Sequence, residues 1–101
     1  MIIKLHTTHD GKSILAICDS DLLGKVYEEG ELQLDLTSNF YNGKEMNEPE
    51  ILKEISKFSS LNIVGQKSIN FAIKQELIEK TNIKKIANVP YAICVFVESL
   101  E

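Results

Sequence analysis

Two short stretches pair a glycine with a lysine in a way that suits anion chemistry: Gly24-Lys25 and Gly65-Gln66-Lys67. The second follows the apolar run Leu61-Asn62-Ile63-Val64 and opens a helical pattern, so it reads as a strand handing over to a helix. Backbone N–H groups at such a start point outward with the positive end of the helix dipole behind them, and a neighbouring ammonium adds a further donor. Gly24, Lys25, Gly65, Gln66 and Lys67 are therefore the candidate anion-binding residues. Neither stretch matches the phosphate-loop pattern or the dinucleotide fingerprint, and two turns with solvated lysines account for the same residues.

Other reactive side chains are sparse. His6 and His9, the chain's two histidines, lie three apart beside a turn with no third ligand at zinc spacing, and they read as exposed hairpin residues. Asp19 and Asp21 could share a magnesium ion, but such a pair more often caps a helical turn, here at Leu22-Leu23. Cys18 and Cys94 each sit inside an apolar run and read as buried, reduced thiols. Lys80, Lys84 and Lys85 form a small basic group without interleaved aromatic residues, which fits a solvated face better than an RNA platform. No catalytic residue, metal or cofactor is expected.

Composition bounds the function classes. The 101 residues suit a single domain spanning residues 1–101, and 44% hydrophobic with 26% charged content is ordinary globular usage. No segment approaches the ~20 apolar residues that span a bilayer, and the N-terminus carries no secretory pattern, so no membrane association and a cytoplasmic location are expected. All 11 basic residues are lysine against 15 acidic ones, a net charge of −4 that disfavours direct nucleic-acid binding. Residues 1–60 carry six lysines and eleven acids, and residues 61–101 carry five and four, so the C-terminal part is the less repulsive for an anion.

The elements that must position these residues follow from periodicity. Ile2 to His6 and Ser13 to Cys18 flank Asp10-Gly11, a favoured two-residue turn that would set Leu5 against Ala16 and Ile3 against Cys18. Lys25 to Tyr27 reads as a short extended piece, and Glu31 to Leu36 alternates as a half-exposed strand with Leu32, Leu34 and Leu36 inward. Phe40 and Tyr41 anchor the loop that follows. Asn47-Glu48-Pro49-Glu50 opens a helix with Ile51, Leu52, Ile55 and Phe58 on one stripe. In the helix after Gly65, Ile69, Ala72, Ile73 and Leu77 share a face, while Phe71 and Ile78 fall nearly opposite. Phe71 and Ile78 are therefore the candidate partner surface, to be covered by a loop or another subunit. Ile83 to Ala87 predicts a short strand, and Tyr91 to Val97 a strand buried on both faces in mid-sheet. Leu61 to Val64 is read as a strand, with a helix end turning at Gly65 as the alternative.

Asp19, Leu22-Leu23-Gly24-Lys25, Glu29-Gly30, Phe40-Tyr41-Asn42-Gly43, Asn62-Ile63-Val64-Gly65 and Val89-Pro90 together resemble the archaeal family called domain of unknown function 424, over nearly the whole chain. Members often carry Val-Gly-Glu in the middle and Gly-Val-Pro-His near the end, where this chain has Gln66 and Tyr91. The resemblance implies an archaeal origin, a small stand-alone α+β domain and a cytoplasmic location, and it supplies no substrate.

The fold class expected is a two-layer α+β sandwich, a mostly antiparallel sheet built from the N-terminal hairpin, Glu31 to Leu36 and the C-terminal strand, with two main helices on one face. The function expected is a small non-catalytic interaction module with a protein or ribonucleoprotein partner, in translation or RNA processing, and with homo-oligomerisation open. The alternative is a small-anion or nucleotide-binding protein or enzyme that uses the Gly65 helix start.

Overall fold

The chain runs β1 (Ile2–Thr7), β2 (Ser13–Cys18), β3 (Val26–Glu29), β4 (Leu32–Asp35), β5 (Lys44–Glu45), α1 (Glu48–Glu54), β6 (Ser60–Val64), α2 (Gln66–Lys74), β7 (Lys84–Ile86) and β8 (Val89–Val95) in the computed structural model. Residues 1–54 and 59–95 are described. Six strands form one sheet in the order β5-β1-β2-β6-β8-β7, and β3 and β4 form a separate two-stranded ribbon. The architecture is α+β and mostly antiparallel. One pair differs: β2 and β6 run parallel, with Cys18 beside Val64.

Two aromatic-free runs explain the centre of the sheet. Leu15, Ile17, Leu61 and Ile63 point to the helix side, where they bury Ile51 of α1 with Ile69, Phe71 and Ala72 of α2. Ala16, Cys18 and Val64 point to the opposite side and bury Leu36 and Tyr41. Leu61 to Val64 is thus a strand, and β2 is buried on both faces because each face carries its own cover.

The first hairpin is shifted by one residue from the expected register: Ile3 stands against Ile17 and Leu5 against Leu15. The cause is the turn. The Gly11 N–H donates to Thr8 O at 3.0 Å and the Thr8 N–H to Lys12 O at 2.8 Å, and Gly11 takes φ +82°. This is a three-residue loop closed by a left-handed glycine, one longer than the tight Asp-Gly turn, and the Thr8 hydroxyl donating to the Asp10 carboxylate holds it.

Three further expectations change. Glu31 to Leu36 does not join the main sheet; β4 pairs with β3 alone, so Leu32 is exposed and only Leu36 is fully buried. The ribbon lies over one end of the sheet, where the Ala87 N–H donates to the Glu29 carboxylate at 3.0 Å. β8 sits one strand from the edge and alternates buried with open positions, because nothing among the described residues covers the outer face of its second half. The helix after Gly65 ends at Lys74, with a turn through Glu76 at φ +59°, so Leu77 and Ile78 belong to a returning segment.

α1 begins as its sequence dictates. The Glu50 N–H donates to Asn47 Oδ1 at 3.0 Å and the Asn47 N–H donates back to Glu50 Oε1 at 3.1 Å, a reciprocal capping box. Ile51 is buried and Leu52 exposed; Ile55 and Phe58 lie outside the described residues.

The β7–β8 hairpin turns on Ala87 and Asn88 at φ +50° and +67°, a two-residue loop with an alanine where glycine is less strained. Ala87→Gly is expected to stabilise the fold by about 0.5–1 kcal/mol, and Gly11→Ala to cost about 1 kcal/mol, both read from urea unfolding.

Candidate functional site

The start of α2 is the expected anion site, and the chain supplies its own anion there. Because β2 and β6 are parallel and end level, the residue after β2 lies beside the residue after β6. Asp19, 6% exposed, therefore turns its carboxylate onto the helix start. Its Oδ2 accepts the Lys67 N–H at 3.1 Å, and its Oδ1 accepts the Ser68 N–H at 2.8 Å and the Ser68 hydroxyl at 2.7 Å. These are the second and third helical N–H groups, the ones a side chain at the capping position normally takes. Gly65 occupies that position at φ +107°, and a Cβ there would stand 2.2 Å from the Asp19 carboxyl carbon. The glycine makes room for a cap borrowed from 46 positions earlier in the chain, counting from residue 19 to residue 65.

Gly24 and Lys25 are not brought to this helix start. Gly24 lines a shallow groove with Leu36 and Ser38, and its N–H donates to Leu36 O at 2.8 Å. The Gln66 amide donates to Asn70 at 2.8 Å along the helix surface. Lys67 faces a separate groove of about 490 Å³ between α1 and α2, with Asn70 and Lys74 on one wall and Asn47 and Glu48 on the other. Lys74 there pairs with Glu48 at 3.4 Å.

His6 is half-buried: its ring stacks on Phe40 with centroids 4.5 Å apart, and its Nε2 lies 2.8 Å from Phe40 O. Burial, with Asp19 and Asp21 adding to it, pushes the Cys18 thiol up to about 12, and burial raises the half-exposed Cys94 thiol as well. Neither thiol is set up as a nucleophile. Among the described residues no group of three or more His, Cys, Asp or Glu is placed to hold a metal ion, and no helix is long and apolar enough to cross a membrane.

Phe71 and Ile78 are not a surface. They are 2% and 6% exposed, packed into the core on the helix side of the sheet. Helical periodicity placed them opposite the stripe, but a nine-residue helix lying in the angle between sheet and returning segment buries more than one side, and Ile78 is outside the helix. The open apolar surface is on the other side of the sheet. There the register sets Ile14, Ser60 and Val95 in one row and Ala16, Asn62 and Ile93 in the next. Ile93 is 64% exposed and Val95 71%.

Residues 6–97 match the family model described as "Protein of unknown function (DUF424)". The chain belongs to this family. Among curated proteins none matches. An uncharacterised conserved protein from Methanopyrus kandleri has a similar crystal structure, with a TM-score of 0.79 and 23% identity over 99% of this chain and 96% of that one. At that identity the likeness concerns the fold.

In this DUF424 chain the sequence pointed to Asp19 as a cap for its own local turn, and it is α2 that it caps. Ile93 and Val95 were hidden inside an unbroken apolar run; the signal was the length of β7, too short to flank all of β8.

Asp19→Ala is expected to cost about 2 kcal/mol, the loss of a cap plus buried N–H groups left unpaired. Inorganic phosphate, inert towards the wild-type melting temperature, is expected to raise that of Asp19→Ala by filling the vacated helix start. With a thiol reagent at pH 8, Cys94 is expected to react first and Cys18 only as the protein unfolds.

Proposed function

We propose that this DUF424 protein is a non-catalytic interaction module that docks a protein partner on the uncovered half of its sheet. One observation carries the reading: Ile93 and Val95 stand side by side and open on β8, and Val95 lines one groove with Ser60 and the half-buried Ile14 across the sheet. Two exposed branched aliphatic side chains side by side on a strand lose free energy to water and regain about 25 cal/mol per Å² when a partner covers them. The stacked His6–Phe40 pair and the β3–β4 ribbon border this surface and limit its extent.

The reactive groups support the same reading from the other direction. The best-oriented donors, at the start of α2, are spent on Asp19, so a small anion would have to displace a buried carboxylate held by three hydrogen bonds. The setting we propose is a translation or RNA-processing assembly, reached through protein rather than through direct nucleic-acid contact.

Ile93→Lys with Val95→Lys is the test, since both side chains are open and their loss leaves the core intact. Proteins captured from lysate by the wild type are expected to be lost by this variant, retained by Lys67→Ala, and sensitive to nuclease only where RNA bridges them. Capture unchanged by the double substitution would contradict the reading.

A further inference from the structure

Resting on that reading, we propose that the partner binds by strand addition: an extended segment of another protein, alternating basic and apolar residues, pairs with the free edge of β8 at Ile93–Val95. Backbone phase is the first support. The Gly65 N–H donates to Pro90 O at 2.9 Å, which turns Pro90 towards β6. Polar groups of a strand alternate sides, so Ala92 and Cys94 also face β6, while Tyr91, Ile93 and Val95 face away. Tyr91 meets Lys84 of β7, and there β7 ends. Ile93 and Val95 thus direct their N–H and C=O groups outward beyond the last rung, and among the described residues no backbone bond outside the sheet ladders reaches either.

The other edges of the sheet are protected in the usual ways. β5 is two residues long, the stretch of β1 beyond it carries Lys4 and His6, whose side chains engage Asn42 O and Phe40 O of the neighbouring loop, and β7 carries Lys84 and Lys85. Short strands and lysines prevent edge-to-edge pairing. The Ile93–Val95 edge has neither device, and its side chains are aliphatic.

Charge selects the occupant. A groove of about 470 Å³ runs along this edge, with Ile93, Cys94 and Val95 on one wall and Glu76, Glu79 and Asn82 on the other. Among the described residues no lysine lines it, and neither glutamate has an ion-pair partner. Glu79 accepts the Asn82 N–H and keeps further acceptor capacity. Side chains of an added strand alternate as well: one set lies beside Ile93 and Val95 on the open face, and the other faces the turn that carries Glu76 and Glu79. Apolar residues suit the first set and Lys or Arg the second. A second copy of this chain, with its net charge of −4, is the poorer match.

The experiment titrates the full isotope-labelled chain with the peptide acetyl-Lys-Val-Lys-Val-Lys-Val-amide, with its Glu-Val counterpart, and with a Lys-Val peptide N-methylated on its valines, whose N–H groups would face Ile93 and Val95. The Lys-Val peptide is expected to shift and protect the Ile93 and Val95 amides, to weaken with salt, and to lose about threefold in affinity for each of Glu76→Gln and Glu79→Gln. The N-methylated peptide, which keeps the charges but cannot pair, is expected not to bind. Equal binding of the acidic or the N-methylated peptide, shifts centred elsewhere, no binding at millimolar peptide, or self-association of the chain through this edge would overturn the proposal. If peptides fail while Ile93→Lys with Val95→Lys still abolishes capture from lysate, strand addition fails and the docking face stands. If capture is unaffected, the docking face fails too.

Discussion

A buried carboxylate must be paired, and Asp19 is paired with the start of α2. An isolated buried carboxylate costs several kcal/mol, and a helix start with unbonded N–H groups has a complementary deficit. Bringing them together satisfies both. It also fixes how the layers meet, because Asp19 extends directly from β2 while α2 extends directly from β6. Any slip of that parallel pair would separate donor from acceptor, and Gly65 allows the approach only because it has no Cβ.

This arrangement governs what the surface can do. In open sheets with parallel strands, the crevice beyond the strand ends is where ligands usually settle. Here the crevice next to β2 and β6 holds a carboxylate and a serine hydroxyl from the chain itself. Cys18, one residue back, is driven to its neutral thiol form by the same burial. Chemistry is withdrawn from the end of the sheet where a fold of this kind would ordinarily place it. What stays open is the opposite stretch of β8, where an incomplete ladder and bare aliphatic side chains coincide.

Much of the fold was legible. Asn47, Pro49 and Glu50 announced α1 through capping chemistry that needs only local sequence, and Gly65 marked the change from strand to helix. The errors came from interactions that local patterns do not encode. A three-residue and a two-residue loop both accommodate Asp10-Gly11, and one residue of difference moved every cross-strand pair. Leu32, Leu34 and Leu36 alternate as a strand should, but alternation does not say which strand it pairs with. Phe71 looked unpartnered because periodicity does not show that α2 is buried on more than one side, and Ile78 because the helical pattern runs on past Lys74 while the left-handed turn at Glu76 carries no glycine to signal it. At the candidate site the helix start was legible from Gly65, while the carboxylate that caps it lay too far away in sequence to be read.

Native-state amide hydrogen exchange on the isolated chain tests the account most directly, because it reads both ends of the sheet at once. Lys67 and Ser68 amides, bonded to a buried carboxylate, are predicted to exchange slowly and to lose that protection in Asp19→Ala. Ile93 and Val95 amides, directed out of the sheet with no partner among the described residues, are predicted to exchange at nearly the rate of an unstructured peptide. Fast exchange at Ser68, or strong protection at Ile93 and Val95 in the monomer, would contradict it.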